Sequence, residues 1–342
     1  MILSGPEMER SPFSPWLFGL SVVALVWSAV LLFAGGFTTS IGAGMAFLDW
    51  PLSNGSLNPE GWTEKPDQLA EHSHRLAGMI IGLLALAIAI AYGKMDPRRG
   101  VRRLAYVLLA VVVVQGVLGG LRVLLDPLNT GAEDPIVARS FAVAHAMGAQ
   151  AVVVILATLA AWSAPGWTRT GDRSAGGGVR SLGMTSFVLL VVAILVGAVM
   201  RHTGTALAIQ TFPAASPDGS WIPTGDNFGV WVHFLHRTIG ILGGLGIAAY
   251  AAGVLARPGW HRNARILAGA SVLLVGLQIW LGLLILETLR NPHVATLHML
   301  NGAALVATVW SSLCWSRKSP VEHVARGASP VRETTAPGDP VA

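Results

Sequence analysis

Glu71-His72-Ser73-His74-Arg75 stands at the mouth of an apolar run that continues to about Tyr92. About 160 residues later, His233-Phe234-Leu235-His236-Arg237 opens another such run. Each is followed by a later apolar run with a histidine of its own, His145 after the first and His298 after the second. Two matched pairs of imidazoles in so apolar a chain decide the reading. The chain is a duplicated set of membrane-crossing helices that brings two histidines together in each copy.

Composition supports the membrane assignment. Of 342 residues, 53% are hydrophobic and only 12% are charged, against roughly a quarter charged in a soluble domain. Eight runs are long enough to cross a bilayer, which takes about 20 apolar residues: 16–36, 71–93, 104–125, 138–162, 182–201, 229–255, 265–286 and 293–315. The fold class expected is an all-α polytopic membrane protein, surrounded by lipid. The first run is too long for the h-region of a cleaved signal peptide, about 7–15 residues. Cys314, the only cysteine, leaves no partner for a disulfide within the chain and no thiolate metal cluster.

A net charge of +5 would suggest nucleic acid in a soluble protein; here it reports topology, and no nucleic-acid partner is expected. Lys94, Arg98, Arg99, Arg102 and Arg103 fill the second connection, and Arg169, Arg173 and Arg180 the fourth. Arg257, Arg262 and Arg265 fill the sixth, and Arg317 and Lys318 follow the last run. The alternate connections hold few cations: Lys65, Arg139 and Arg290, with none in 203–228. The positive-inside rule then places both termini in the cytoplasm and the long loops 37–70 and 202–228 outside.

The two halves align in register. His74-Arg75 matches His236-Arg237, and Trp50-Pro51 matches Phe212-Pro213, both 162 residues apart. Gln115 to Gly119 matches Gln278 to Gly282 at 163, and His145 matches His298 at 153. The expectation is two tandem pseudo-symmetric four-helix bundles of parallel topology, 16–163 and 181–315. They are joined by a linker, 164–180, and flanked by tails 1–15 and 316–342, the last rich in Pro, Ala and charge. Such bundles hold cofactors between facing helices.

One histidine in a membrane helix is commonly satisfied by a neighbouring helix, but two pairs recurring in register point to ligation. Zinc sites take three or four protein ligands, whereas haem iron needs two axial ones. The ligands assigned are therefore His74 with His145 and His236 with His298. Arg75 and Arg237, each next to a ligand, read either as snorkelling interfacial residues or as partners of haem propionates. Arg122, Arg139 and Arg201 are secondary candidates for that role. Gly78, Gly82, Gly116, Gly119 and Gly120 are assigned to close helix approach. His202, His261 and His323 are set aside as incidental, and His293 has no counterpart in the first half.

The halves differ where Glu71 aligns with His233. Glu71 precedes His74 by three residues, so both lie on one helix face. A carboxylate at one site only suggests that the sites do different work, proton transfer during an oxidation being one. The competing reading is an acidic residue favoured by a helix N-terminus. His72 is a further polar candidate beside that pocket.

These residues resemble the haem A synthase family over roughly 16–315. The resemblance rests on Glu-x-x-His-Arg opening the second run, His-Arg opening the sixth, and one histidine each in the fourth and eighth. The stretch from Gly35-Gly36-Phe37-Thr38 to Asp49-Trp50-Pro51 also looks like that family's first outer loop. The resemblance implies oxidation of the C8 methyl of haem O to the formyl of haem A for terminal oxidases. It implies a resident haem b on His236 and His298, substrate haem O on His74 and His145, and Glu71 as the catalytic acid. It further implies an electron donor without naming one, haem O synthase and a terminal oxidase as candidate partners, and a homo-oligomer as an option. Many bacterial members carry a cysteine pair in an outer loop; this chain has none there. The alternative from another class is a quinol-linked di-haem b electron carrier that modifies nothing. A pure electron wire gives no reason for an acid at one site only. A transporter of inverted repeats is disfavoured by the parallel register.

Overall fold

The computed structural model describes residues 13–172 and 176–319. Residues 1–12, 173–175 and 320–342, which hold most of both expected tails, a piece of the linker, Arg173 and His323, lie outside the described residues.

Eight helices are long and apolar enough to span a membrane: α1 (Pro15–Ser40), α2 (Pro66–Met95), α3 (Arg99–Leu124), α5 (Ile136–Ser163), α6 (Gly177–His202), α7 (Phe228–Leu255), α8 (Arg262–Glu287) and α9 (Pro292–Trp315). A short helix, α4 (Pro127–Thr130), sits between α3 and α5. Several helices start at polar side-chain caps. The Ser14 side chain accepts from the Leu17 N–H ahead of Pro15, Asn227 caps Val230, and Asn291 caps His293 and Val294 ahead of Pro292. Helices α2, α3 and α6 each start five residues before the expected apolar run. Helix α2 begins at Pro66, so Glu71 lies inside the helix and not at its first turn.

In the first half α1 packs on α2, α2 on α3, α3 on α5 and α5 back on α1. The second half repeats the ring with α6, α7, α8 and α9. The halves meet along α1, α5, α6 and α9. Outward faces carry large apolar side chains, among them Leu83, Leu245 and Leu273, all well exposed, as lipid-facing helices require. The interior uses small residues and paired hydroxyls. Tyr92 Oη lies 2.7 Å from Ser21 Oγ and 2.6 Å from Ser163 Oγ, joining α2 to α1 and α5. Tyr250 Oη lies 2.9 Å from Ser312 Oγ, joining α7 to α9. Without water to receive them, such groups bond to each other.

Small residues set the packing distance. A Cβ on Gly183 would lie 2.6 Å from Tyr250 Cδ2 and 2.8 Å from a Leu313 methyl. Gly183→Ala is therefore expected to destabilise the second bundle by about 1–3 kcal/mol, the usual cost of overpacking. Gly276→Ala, where a Cβ meets nothing within 4 Å, is the control expected to unfold at the wild-type temperature. Thermal unfolding in detergent followed by circular dichroism checks both.

Candidate functional site

Helix α2 turns His74 toward α5, and α7 turns His236 toward α9. The rings of His74 and His145 are 6.4 Å apart centre to centre, at 82° to each other. Those of His236 and His298 are 6.3 Å apart at 61°. Two bonds of about 2 Å from nitrogen to a metal, plus the half-width of each ring, span about the same distance. Both expected pairs are thus brought together, at nearly equal spacing. Among the described residues no three His, Cys, Asp or Glu side chains converge on a metal position. The donor sets are pairs, which suits a metal that brings its equatorial ligands with it.

Each ring rests on a glycine of a neighbouring helix. A Cβ on Gly35 would lie 2.6 Å from His74 Cε1, and one on Gly197 would lie 2.8 Å from His236 Cε1. The corresponding distances are 3.2 Å from Gly119 to His145 and 3.4 Å from Gly282 to His298. Gly35 and Gly197 are 162 residues apart, and Gly119 and Gly282 are 163 apart, the register of the repeat. That recurrence is visible in the sequence. Read there, Gly119 speaks only for helix approach, and its link to the histidines is missed.

Backbone carbonyls orient two of the rings. His145 Nδ1 is 3.0 Å from Gln115 O, and His236 Nδ1 is 2.9 Å from Ala193 O. A carbonyl only accepts, so Nδ1 carries the proton and Nε2 keeps its lone pair for a metal. His74 Nδ1 and His298 Nδ1 are buried without a hydrogen bond. At the fourth ring, the Gln278 amide Nε2 lies 3.0 Å from His298 Nε2, while its Oε1 accepts from Asn301 Nδ2 at 2.6 Å. Ligation through that nitrogen requires the amide to turn away. In the first half Gln115 instead lies over Gly148, where a Cβ would collide with its amide.

Glu71 and Arg75 tie the loop over the first pair. Glu71, 3% exposed, bonds Arg75 Nη2 through Oε1 at 2.5 Å and accepts from Phe47 N–H through Oε2 at 3.0 Å. Arg75 also donates to the carbonyls of Phe47 (3.2 Å), Asp49 (2.7 Å) and Leu52. The second half repeats this nearly atom for atom. His233 Nδ1 accepts from Ile209 N–H at 3.2 Å, and Arg237 donates to the carbonyls of Ile209 (3.2 Å) and Thr211 (2.7 Å). Glu71 and His233 are thus alternative acceptors for one loop contact. The guanidinium groups of Arg75 and Arg237, considered for propionates, donate to loop backbone.

The loop is also braced from within. The Asp49 carboxylate accepts from Asn54 and Gly55 N–H at 2.8 Å each. Partial burial raises its pKa, but these donors and nearby Arg75 outweigh that and leave it below the usual range. His72 points into the loop, 2.9 Å from Ser53 Oγ and packed against Trp62, so it does not share the face of His74. His293 packs on Phe37. Both loops hold a cis peptide bond, Trp50-Pro51 and Phe212-Pro213.

A cavity of about 160 Å³ opens between α3, α5 and α6, lined by Arg122, Asp126, Ala138, Arg139, Ala142 and His202, with Pro135 at its edge. His202, which the sequence gives no reason to single out, closes α6 and forms one wall. Arg122 donates to Gly44 O. Arg201, the neighbour of His202, crosses between the halves to Gly36 O and to Ser40 Oγ at 2.8 Å.

With this geometry in view, the comparisons are direct. The sequence profile of the COX15-CtaA family, described as cytochrome oxidase assembly protein, matches residues 16–310. The chain is 27% identical to the heme A synthase of Bacillus licheniformis over 303 residues, 87% of this chain and 94% of that one. It is 26% identical to the heme A synthase of Staphylococcus carnosus, over 83% of this chain and 88% of that one. A third, from Shouchella clausii, is 28% identical over 65% and 71%.

Gly35→Ala is expected to displace the His74 ring and abolish low-spin haem binding by the first pair, because the clash lies within one packed turn. Gly78→Ala, on the same helix as His74 with nothing within 4 Å of its Cβ, should bind normally. Haem titration followed by Soret absorbance reads the difference.

Proposed function

The chain belongs to the COX15-CtaA family of cytochrome oxidase assembly proteins, and from that premise we propose that it is a haem A synthase, a multi-pass enzyme of the cell membrane that oxidises the C8 methyl group of haem O to a formyl group. The observation that carries the reading is the ring spacing, 6.4 Å and 6.3 Å in two pairs on matched helices. His74 and His145 hold the substrate haem O, and His236 and His298 hold a resident haem b. The resident group, when bound, supplies electron transfer. The four glycine contacts and the two carbonyl contacts fix the rings so that neither ligand pair needs to reorganise its backbone.

The protein's own contribution is binding, orientation and proton handling. Helix α2 carries Glu71 one turn before His74, and Arg75 holds that carboxylate in place. Oxidising a methyl group to a formyl group with oxygen from O2 or water requires proton transfer, and Glu71 is the carboxylate nearest in sequence to a first-site ligand. Arg75 and Arg237 act on the porphyrins indirectly, by fastening the loops that cover them. The partners this reading implies are haem O, lipid, an electron donor, a haem O synthase upstream and a terminal oxidase downstream.

The di-haem carrier reading fits the ligand pairs equally well. It gives no reason for the inequivalence at Glu71 and His233, or for a cationic cavity beside one pair.

Co-expression with a source of haem O, followed by extraction and mass spectrometry, tests the activity. Haem A or its hydroxymethyl precursor is expected from wild type and should fall at least 100-fold in His74→Ala. In Glu71→Gln, which keeps the contact with Phe47 N–H, product should fall while haem is still bound. Recovery of haem b alone from wild type would establish the carrier.

A further inference from the structure

Two arginines line the cavity between α3, α5 and α6, and among the described residues neither forms an ion pair. Arg122 is half-buried with one donor on Gly44 O, and Arg139 is exposed at the edge. Asp126 shares the wall, but its carboxylate caps Leu128 N–H. Guanidinium groups without an ion-pair partner beside a half-open hollow favour a carboxylate or phosphate, which they bind with charge-assisted hydrogen bonds.

The position relative to the first histidine pair narrows the choice. Ala138, Ala142 and His145 occupy one face of α5 at helical spacing. Ala142 and Ala138 lie about 4.5 and 10 Å from His145 along the axis. The reach of a porphyrin rim plus a propionate arm is of the same order. The small alanines leave the room, and His202, within electrostatic range of Arg122 and His145, closes it from the other half.

The second half differs at the matching positions. Positions matching Arg122 and Arg139 are Ile285 and Pro292. The corresponding seam, between α1 and α9, is filled by Ser40 Oγ and Thr296 Oγ1 at 3.0 Å, both buried. The cationic hollow therefore belongs to the site assigned to substrate, not to the one assigned to the resident group.

We propose that Arg122 and Arg139, with His202 as the third wall, form the subsite that anchors the propionate carboxylates of the porphyrin held by His74 and His145. The inference rests on the ligation proposed above. Its chemical consequence is positional. The methyl group to be oxidised shares a pyrrole ring with one propionate arm, so anchoring the carboxylates places the porphyrin edge that carries it beside this wall.

The test uses full-length protein in uncharged detergent with its second site already filled. Iron protoporphyrin and its dimethyl ester are titrated separately into the first site, followed by the low-spin bands. Wild type is expected to bind the free acid at least 10-fold more tightly than the ester, and in Arg122→Gln/Arg139→Gln the ratio should fall near one with ester affinity unchanged. A preference that survives in the double variant, or that is missing in wild type, overturns the inference alone. Low-spin binding of both probes that persists in His74→Ala would overturn the ligation reading, and this inference with it.

Discussion

Everything in the site depends on how close a helix backbone can come to an imidazole. Gly35, Gly119, Gly197 and Gly282 each let a neighbouring helix lie against a histidine edge. At His145 and His236 the same approach brings a carbonyl within hydrogen-bonding distance of Nδ1. The backbone thus sets the ring plane, the proton position and the direction of the free lone pair together. A side chain at Gly35 or Gly197 would collide with the ring beside it, and one at Gly119 would press on His145. Pre-setting His145 and His236 in this way reduces reorganisation on binding, as second-sphere contacts do in metal sites generally.

The two bundles share this frame and differ around it. Arg75 and Arg237 take equivalent carbonyls of equivalent loops, yet one loop closes on a carboxylate and the other on an imidazole. Gln115 lies over Gly148, whereas Gln278 meets Asn301 and reaches His298. Arg122 and Arg139 have no counterparts in charge. Both halves carry a ligand pair, and several of their differences fall on residues close to those ligands.

Much of this is legible in the sequence. Eight apolar runs correspond to the eight helices, and the register of His74, His145, His236 and His298 names the pairs that the structure brings together. The start of α2 is not legible from hydropathy, because its first turns, from Pro66 to Glu71, are polar and cap-like. Glu71 consequently looks like a helix-terminal acid when it is an interior residue pinned to a loop amide. His202 is easily passed over because a histidine at a helix end has many bland explanations; only the packing of α6 beside α5 shows what it lines. The glycine register lies in the sequence, but its meaning is a distance between helices, which no single-chain pattern supplies. The destination of Arg75 is likewise open, since interface, propionate and loop carbonyl all satisfy a guanidinium.

The seams between the bundles differ in one further respect. Where α1 meets α9, Ser40 and Thr296 leave no room, and departure of anything held behind them has to prise the helices away from each other. Where α5 meets α6, alanines and long cationic side chains line a hollow of about 160 Å³. Under the proposed function, the close Ser40–Thr296 seam lies beside the resident group and the hollow lies beside the substrate.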